Sequence, residues 1–241
     1  MPLPLRPLLT LPLAALVFGA ASVCAAAIPG GALTITSDYV LRGVSQSDNE
    51  PALQGELHWN FPSGWSGGLS ASQLKFAPYR ASLELSALLQ WHGALNDDFD
   101  FGASLAHYSY PDDPRPISYD YQELGVSLAW RDQIYAAASW TPRINLYGAA
   151  YGQVSGRQAF SFETSWHRTL RPRLDLSAGA GFYNPRGLDN ASYGYGNVTL
   201  GWHYGHWRAH LARIWVQDAR HRRYTAGPDG GPWAVTVAWG F

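Results

Sequence analysis

Cysteine is all but absent from this chain of 241 residues: the single one is Cys24. It falls inside what reads as a leader, so the rest of the chain offers no disulfide, no cysteine metal site and no cysteine nucleophile. Lysine is equally scarce, with Lys75 alone. Charged residues make up only 15% and the net charge is −1. A nucleic-acid-binding surface, which needs a basic excess, is excluded. Long apolar runs are missing too. After residue 27 none approaches the 18 or so residues that a membrane-spanning helix needs, and no helical stripe exceeds two turns.

The leader is residues 1–27. Arg6 is followed by a mostly apolar run from Leu8 to Phe18 and by Ala25-Ala26-Ala27. A positive start, a short apolar core and an Ala-x-Ala end predict a secretory signal peptide. The run is too short to cross about 30 Å of hydrocarbon as an anchor. The expectation is an exported protein whose mature part, 28–241, is one domain.

What the sequence does hold is aromatic residues and glycine: 11 Trp, 14 Tyr, 9 Phe and 25 Gly. Mean hydropathy is nevertheless slightly polar, at −0.18. Strands with one apolar and one polar face produce that combination, and period-two alternation runs through the chain after residue 31. Twelve segments of about ten residues, the length of a tilted transmembrane strand, are predicted. They are Leu33–Ser45, Ala52–Phe61, Trp65–Phe76, Ala81–Trp91, Phe99–Tyr110, Tyr119–Trp130, Ile134–Thr141, Gln158–His167, Arg173–Tyr183, Tyr193–Tyr204, Trp207–Val216 and Trp233–Phe241. The fold class expected is all-β, a transmembrane antiparallel up-and-down β-barrel of 12 strands, with 10 or 14 left open.

Connection lengths support the same parse. Short turns at Pro62-Ser63-Gly64, His92–Asp98, Arg131-Asp132-Gln133, Arg168–Pro172 and Gly205-His206 alternate with longer loops at Pro111–Ser118, Pro142–Arg157, Asn184–Ser192 and Gln217–Pro232. Periplasmic turns and extracellular loops of outer-membrane barrels alternate in this way. Gln46–Pro51 and Ala77–Arg80 are short for outer loops, and Ile144, Leu146 and Tyr147 could extend a strand into the loop at 142–157.

The last strand shows why lipid is the expected surroundings. Trp233, Val235, Val237, Trp239 and Phe241 share one face, and Ala234, Thr236, Ala238 and Gly240 the other. Aromatics at the rims with β-branched residues between them match the girdles that flank a hydrocarbon band. A strand buried in a soluble sandwich has no need of rim aromatics. Alternate apolar residues ending in Phe also resemble the terminal signal read by the barrel-assembly machinery.

The opposite face defines the candidate lumen: Asp38, Arg42, Glu56, His58, Glu84, Glu123, Glu163, Asp175, His203, Arg208 and His210. Charges of this kind need partners or water. Acidic residues outnumber arginines among them, which predicts a preference for cations or zwitterions, although Arg220, Arg222 and Arg223 could line the outer mouth. Within the first strand, Leu33, Ile35, Tyr39 and Leu41 are expected to face lipid. Arg42 is expected to meet Glu56 on the second.

Two other chemistries have candidate residues in the sequence. His107 and Ser109 lie two apart on one face, a spacing that brings a base to a nucleophile in some outer-membrane lipases, but no orienting Asn or Asp stands nearby. His203, His206 and His210 fall around one turn, but no cysteine or carboxylate completes a metal set. No catalytic residue, cofactor or metal is therefore expected.

One segment carries a family resemblance. Thr36-Ser37-Asp38-Tyr39-Val40-Leu41-Arg42-Gly43-Val44-Ser45-Gln46-Ser47, followed by Pro51-Ala52-Leu53-Gln54-Gly55, resembles the N-terminal signature of the TorF-type porins, a proteobacterial outer-membrane group of poorly defined function. There an aromatic and an Arg-Gly pair precede a Ser/Thr-rich turn, then Pro and Gln open the next strand. Leu41 stands where that family has an aromatic about as often as not. The resemblance implies a barrel and a pore, with neither an established substrate nor catalytic residues.

The functional expectation is a porin-like outer-membrane channel for ions or small polar solutes through a narrow lumen, since twelve strands lie between packed eight-stranded barrels and open sixteen-stranded pores. The alternatives are a plugged structural barrel and a lipid hydrolase using His107 and Ser109. Expected partners are outer-membrane lipid, the assembly machinery and a small solute or ion.

Overall fold

Alternating segments leave one strand face apolar, and a closed sheet is the arrangement that pairs every backbone group while turning that face to lipid. The computed structural model describes residues 28–75, 81–113, 118–148, 152–186, 192–217 and 233–241. The leader at 1–27, the loop at 77–80 and Arg220, Arg222 and Arg223 thus lie outside the described residues.

The strands are β1 (Ile28–Thr36), β2 (Val40–Leu41), β3 (Val44–Ser45), β4 (Ala52–Asn60), β5 (Trp65–Gln73), β6 (Leu83–Ala94) and β7 (Phe99–Ser109). They continue as β8 (Tyr121–Trp130), β9 (Ile134–Gly148), β10 (Gly152–Arg171), β11 (Leu174–Pro185), β12 (Tyr193–Tyr204), β13 (Trp207–Val216) and β14 (Trp233–Gly240). All but β2 and β3 form one closed barrel of twelve antiparallel strands, in the order β1-β14-β13-β12-β11-β10-β9-β8-β7-β6-β5-β4. β1 closes the ring by pairing with β4 on one side and β14 on the other. Phe241 completes the seam: its N–H and C=O exchange hydrogen bonds of 3.0 Å with Gly31.

Leu57, Leu69, Leu89, Leu105, Val126, Leu200, Leu211, Val235 and Val237 all stand exposed on the outer face. Exposed Phe61, Trp65, Trp202, Tyr204, Trp207, Trp239 and Phe241 gather near the short turns. In a water-soluble protein so much exposed apolar surface would mark an interface. Around a closed barrel it is the lipid-facing belt with its aromatic girdle, and the protein is an outer-membrane barrel. The turns themselves are fastened by polar contacts. Arg131 donates from Nε to Asp98 at 2.7 Å, and this hydrogen bond holds the Asp98 carboxyl below its ordinary range.

Eleven strands lie where alternation predicts them, with shifted ends. β9 and β10 run further than expected, and Leu146 and Tyr147 do extend the strand, paired with Val154 and Gln153.

The first strand departs from expectation. β1 ends at Thr36, and the chain does not continue far up the wall: residues 38–47 fold inward, while residues 48–51 are exposed. Ser37 still belongs to the seam, bonding Val235 through its N–H and its side chain. The Thr36 hydroxyl then donates to the Asp38 carbonyl at 2.7 Å, and the chain turns inward. Asp38 holds the neck of the loop by accepting from Ser45 at 2.6 Å and Ser47 at 2.9 Å. Beyond the neck β2 and β3 pair as a hairpin, Val40 with Ser45 and Leu41 with Val44. Tyr39 and Leu41, expected to face lipid, belong to this hairpin, and Tyr39 is only 6% exposed.

The turn is the two-residue loop Arg42-Gly43, with φ of 50° and 78°. Two-residue hairpin loops of type I′ require positive φ at both central positions. At Gly43 space is also decisive: a Cβ there would lie 2.8 Å from both Tyr195 Cβ and Val216 Cγ2. Gly43→Val is therefore expected to cost about 1–3 kcal/mol from backbone strain alone, with steric cost in addition. The expected result is faster proteolysis within residues 37–51 in barrels that still show heat-modifiable gel migration. Unchanged proteolysis would count against a docked turn.

Candidate functional site

The hairpin divides the bore because consecutive residues point to opposite walls. Tyr39 packs with Ala52, Leu74, Ala81 and Tyr110. Val40 packs with Ala212, Ile214 and Ala234. The Tyr39 hydroxyl donates to Glu84 at 2.9 Å, and Tyr110 donates to the other Glu84 oxygen at the same distance.

Arg42, at the tip, reaches the wall across from β1. Its Nη2 donates to Glu123 on β8 at 2.6 Å and to Ser139 on β9 at 3.3 Å. Its Nε lies 3.9 Å from Glu163 on β10. The guanidinium also sits over the ring of Tyr183 on β11, 5.3 Å from the centroid. Four neighbouring strands thus contribute to one cradle. Glu163 in addition accepts a hydrogen bond from Tyr195 on β12. Tyr195 reaches it across Gly181, which lies between the two in register. Any Cβ at position 181 would run into the Tyr195 ring.

Five of the sequence-derived residues therefore meet around the hairpin: Asp38, Arg42, Glu84, Glu123 and Glu163. The expected partner of Arg42 is corrected from Glu56 to Glu123, because the inward turn carries Arg42 away from β4 and across the bore. Glu56, His58, Asp175, His203, Arg208 and His210 lie elsewhere, most of them next in sequence to exposed outer-face residues such as Leu57, Trp202, Trp207 and Leu211. His203 Nδ1 is 3.6 Å from Asp175 Oδ1. His58 lies across β1, where a Cβ at Gly30 would come within 2.5 Å of its Nε2.

Tyr39, Tyr110, Ser139, Tyr183 and Tyr195 are site residues that sequence reasoning missed. The available signal was the Arg-Gly pair, which marks a tight hairpin. His107 is exposed on the outer side of β7, like Leu105 two residues before it. Its neighbour on the same face, Ser109, pairs in register with Leu85. His206 sits in its turn with Nδ1 2.8 Å from the Gly240 carbonyl. Among the described residues no three His, Asp or Glu side chains gather as a metal site would require.

Solved structures similar in fold include porins. The KdgM porin has a TM-score of 0.54 at 9% identity, covering 89% of this chain and 99% of that one. KdgM in complex with disordered oligogalacturonate gives 0.52 at 8%, covering 89% and 99%. The NanC porin gives 0.54 at 7%, covering 88% and 98%. At such identities the likeness is one of fold. No curated protein matches the chain. A family profile does match, over residues 25–230. The chain belongs to that family, Gcw_chp, bacterial proteins of unknown function.

Proposed function

We propose that this barrel is a porin-like channel for ions or small polar solutes, with the inward hairpin as its constriction. The observation that carries this reading is the inner face away from the hairpin. Glu56, His58, Asp175, His203, Arg208 and His210 stand there on β4, β11, β12 and β13, and an inner face lined by ionisable groups suits a watered passage better than an apolar core. The porin fold agrees, and KdgM, a structure of the same architecture, has been solved with an oligogalacturonate. On this reading all eleven inner residues named above line or control the passage. Residues 1–27 are the export signal, and Trp233, Val235, Val237, Trp239 and Phe241 present the assembly signal. The finer family assignment, to the TorF-type porins, rests on the motif at residues 36–55 and on the Arg-Gly turn at its centre.

A second reading, a plugged structural barrel, is favoured by one observation: Tyr39, Val40 and Arg42 of the hairpin each contact a different part of the wall. Planar-bilayer recording of refolded protein separates the two. Discrete, small, ion-selective steps are expected. Silence across a panel of salts and small solutes, from protein shown to be folded, would establish the plug.

A further inference from the structure

The Arg42 cradle has the composition of a binding site for someone else's cation. Two carboxylates, Glu123 and Glu163, a hydroxyl, Ser139, and the face of Tyr183 surround one guanidinium. A carboxylate accepts from one in-plane donor, and an aromatic face attracts the charge. All four groups belong to strands of the barrel wall, not to the hairpin.

The hairpin is attached differently. β2 and β3 pair only with each other and are not part of the barrel sheet. The hold of Arg42 on its cradle is also incomplete: Nε is buried without a hydrogen-bond acceptor, and Glu163 at 3.9 Å is too far to serve. The residue is further held in the left-handed region, at φ 50°. An occupant that is strained, imperfectly matched and outside the sheet can be exchanged.

Withdrawal of the hairpin would remove Arg42 and Tyr39 together. Glu123 and Glu163 would then lose their arginine, beside Tyr183 and Tyr195 on the same wall, and Glu84 would keep Tyr110 but lose Tyr39. We propose that this wall is a subsite for a small organic cation of the guanidinium or primary-amine class, and that Arg42 occupies it as a built-in stand-in for the solute. The proposal rests on the channel reading and adds a substrate class to it. A solute of that class competes with Arg42 for the carboxylates, releases the hairpin and takes the place it leaves.

Methylguanidinium is the probe. Equilibrium dialysis of labelled methylguanidinium against folded Arg42→Ala barrel should show saturable binding. The triple variant Arg42→Ala, Glu123→Gln, Glu163→Gln should lose it. In bilayers, Arg42→Ala should conduct more than wild type, with a reversal potential shifted toward that of the cation, and the two Glu→Gln changes should abolish the shift. Folding of each variant is verified by heat-modifiable migration. An Arg42→Ala channel that conducts without cation preference and binds no methylguanidinium overturns the subsite and leaves the channel standing. Binding that survives the triple substitution also overturns it. If every folded variant is electrically silent, the channel reading falls, and the dialysis result then decides the subsite separately.

Discussion

A Val237→Arg barrel is expected to be less stable than wild type by about 2–4 kcal/mol, the cost of a charged side chain at the bilayer midplane. Val237 is exposed on the outer face of β14 and lies between the rim aromatics Trp233 and Trp239. It pairs with Ile35 on one side and Ala209 on the other, so the substitution strikes the seam where the ring closes. An arginine at Gln54, on the inner face of β4, serves as the contrast. It loses one hydrogen bond, to Ser72 at 3.2 Å, and is expected to cost within about 1 kcal/mol. Urea titrations in lipid bilayers measure both. Equal costs at the two positions would contradict the assignment of the faces.

The second large effect belongs to Arg42. Arg42→Met keeps much of the side-chain length and removes the charge, leaving Glu123 with only Thr141 at 3.4 Å among the described hydrogen bonds. Breaking a buried ion pair by removing one partner costs about 3–5 kcal/mol. The Arg42 and Glu123 side chains each keep 14% exposure, so the lower end of that range is expected. A double-mutant cycle with Glu123→Gln should return a coupling of about 1.5–3 kcal/mol, the range for hydrogen bonds to charged groups. The same cycle between Arg42 and Glu56 should return a coupling near zero. A reversed order would put Arg42 against the wrong wall.

Most of the barrel was legible because its physics is local. Each of β4 to β14 announces itself through period-two alternation, and lipid on one side enforces that pattern strand after strand. The first loop was not legible for the same reason. Tyr39 and Leu41 continue the alternation of Leu33 and Ile35, and nothing local distinguishes an aromatic facing lipid from one packed inside the bore. The deciding interactions are Asp38 with Ser45 and Ser47, and Arg42 with Glu123 on β8. Two cues pointed the other way. One was the Arg-Gly pair, which suits a tight turn better than mid-strand. The other was a first outer loop that appeared too short at 46–51, and its missing length is the hairpin itself. Most site residues were legible as types on an inner face. Their grouping was not, because it depends on which strands a folded-in loop can reach.

The hairpin lies between the first two barrel strands in sequence, yet its partners Glu123, Glu163, Tyr195 and Ile214 lie on β8, β10, β12 and β13. The tip therefore has no complete seat until nearly all of the wall exists. Contacts so distant in sequence form late. The Arg42 clamp is thus a closure reporter: its formation marks a finished ring, and a barrel stalled before β8 joins would leave its first loop accessible to periplasmic proteases.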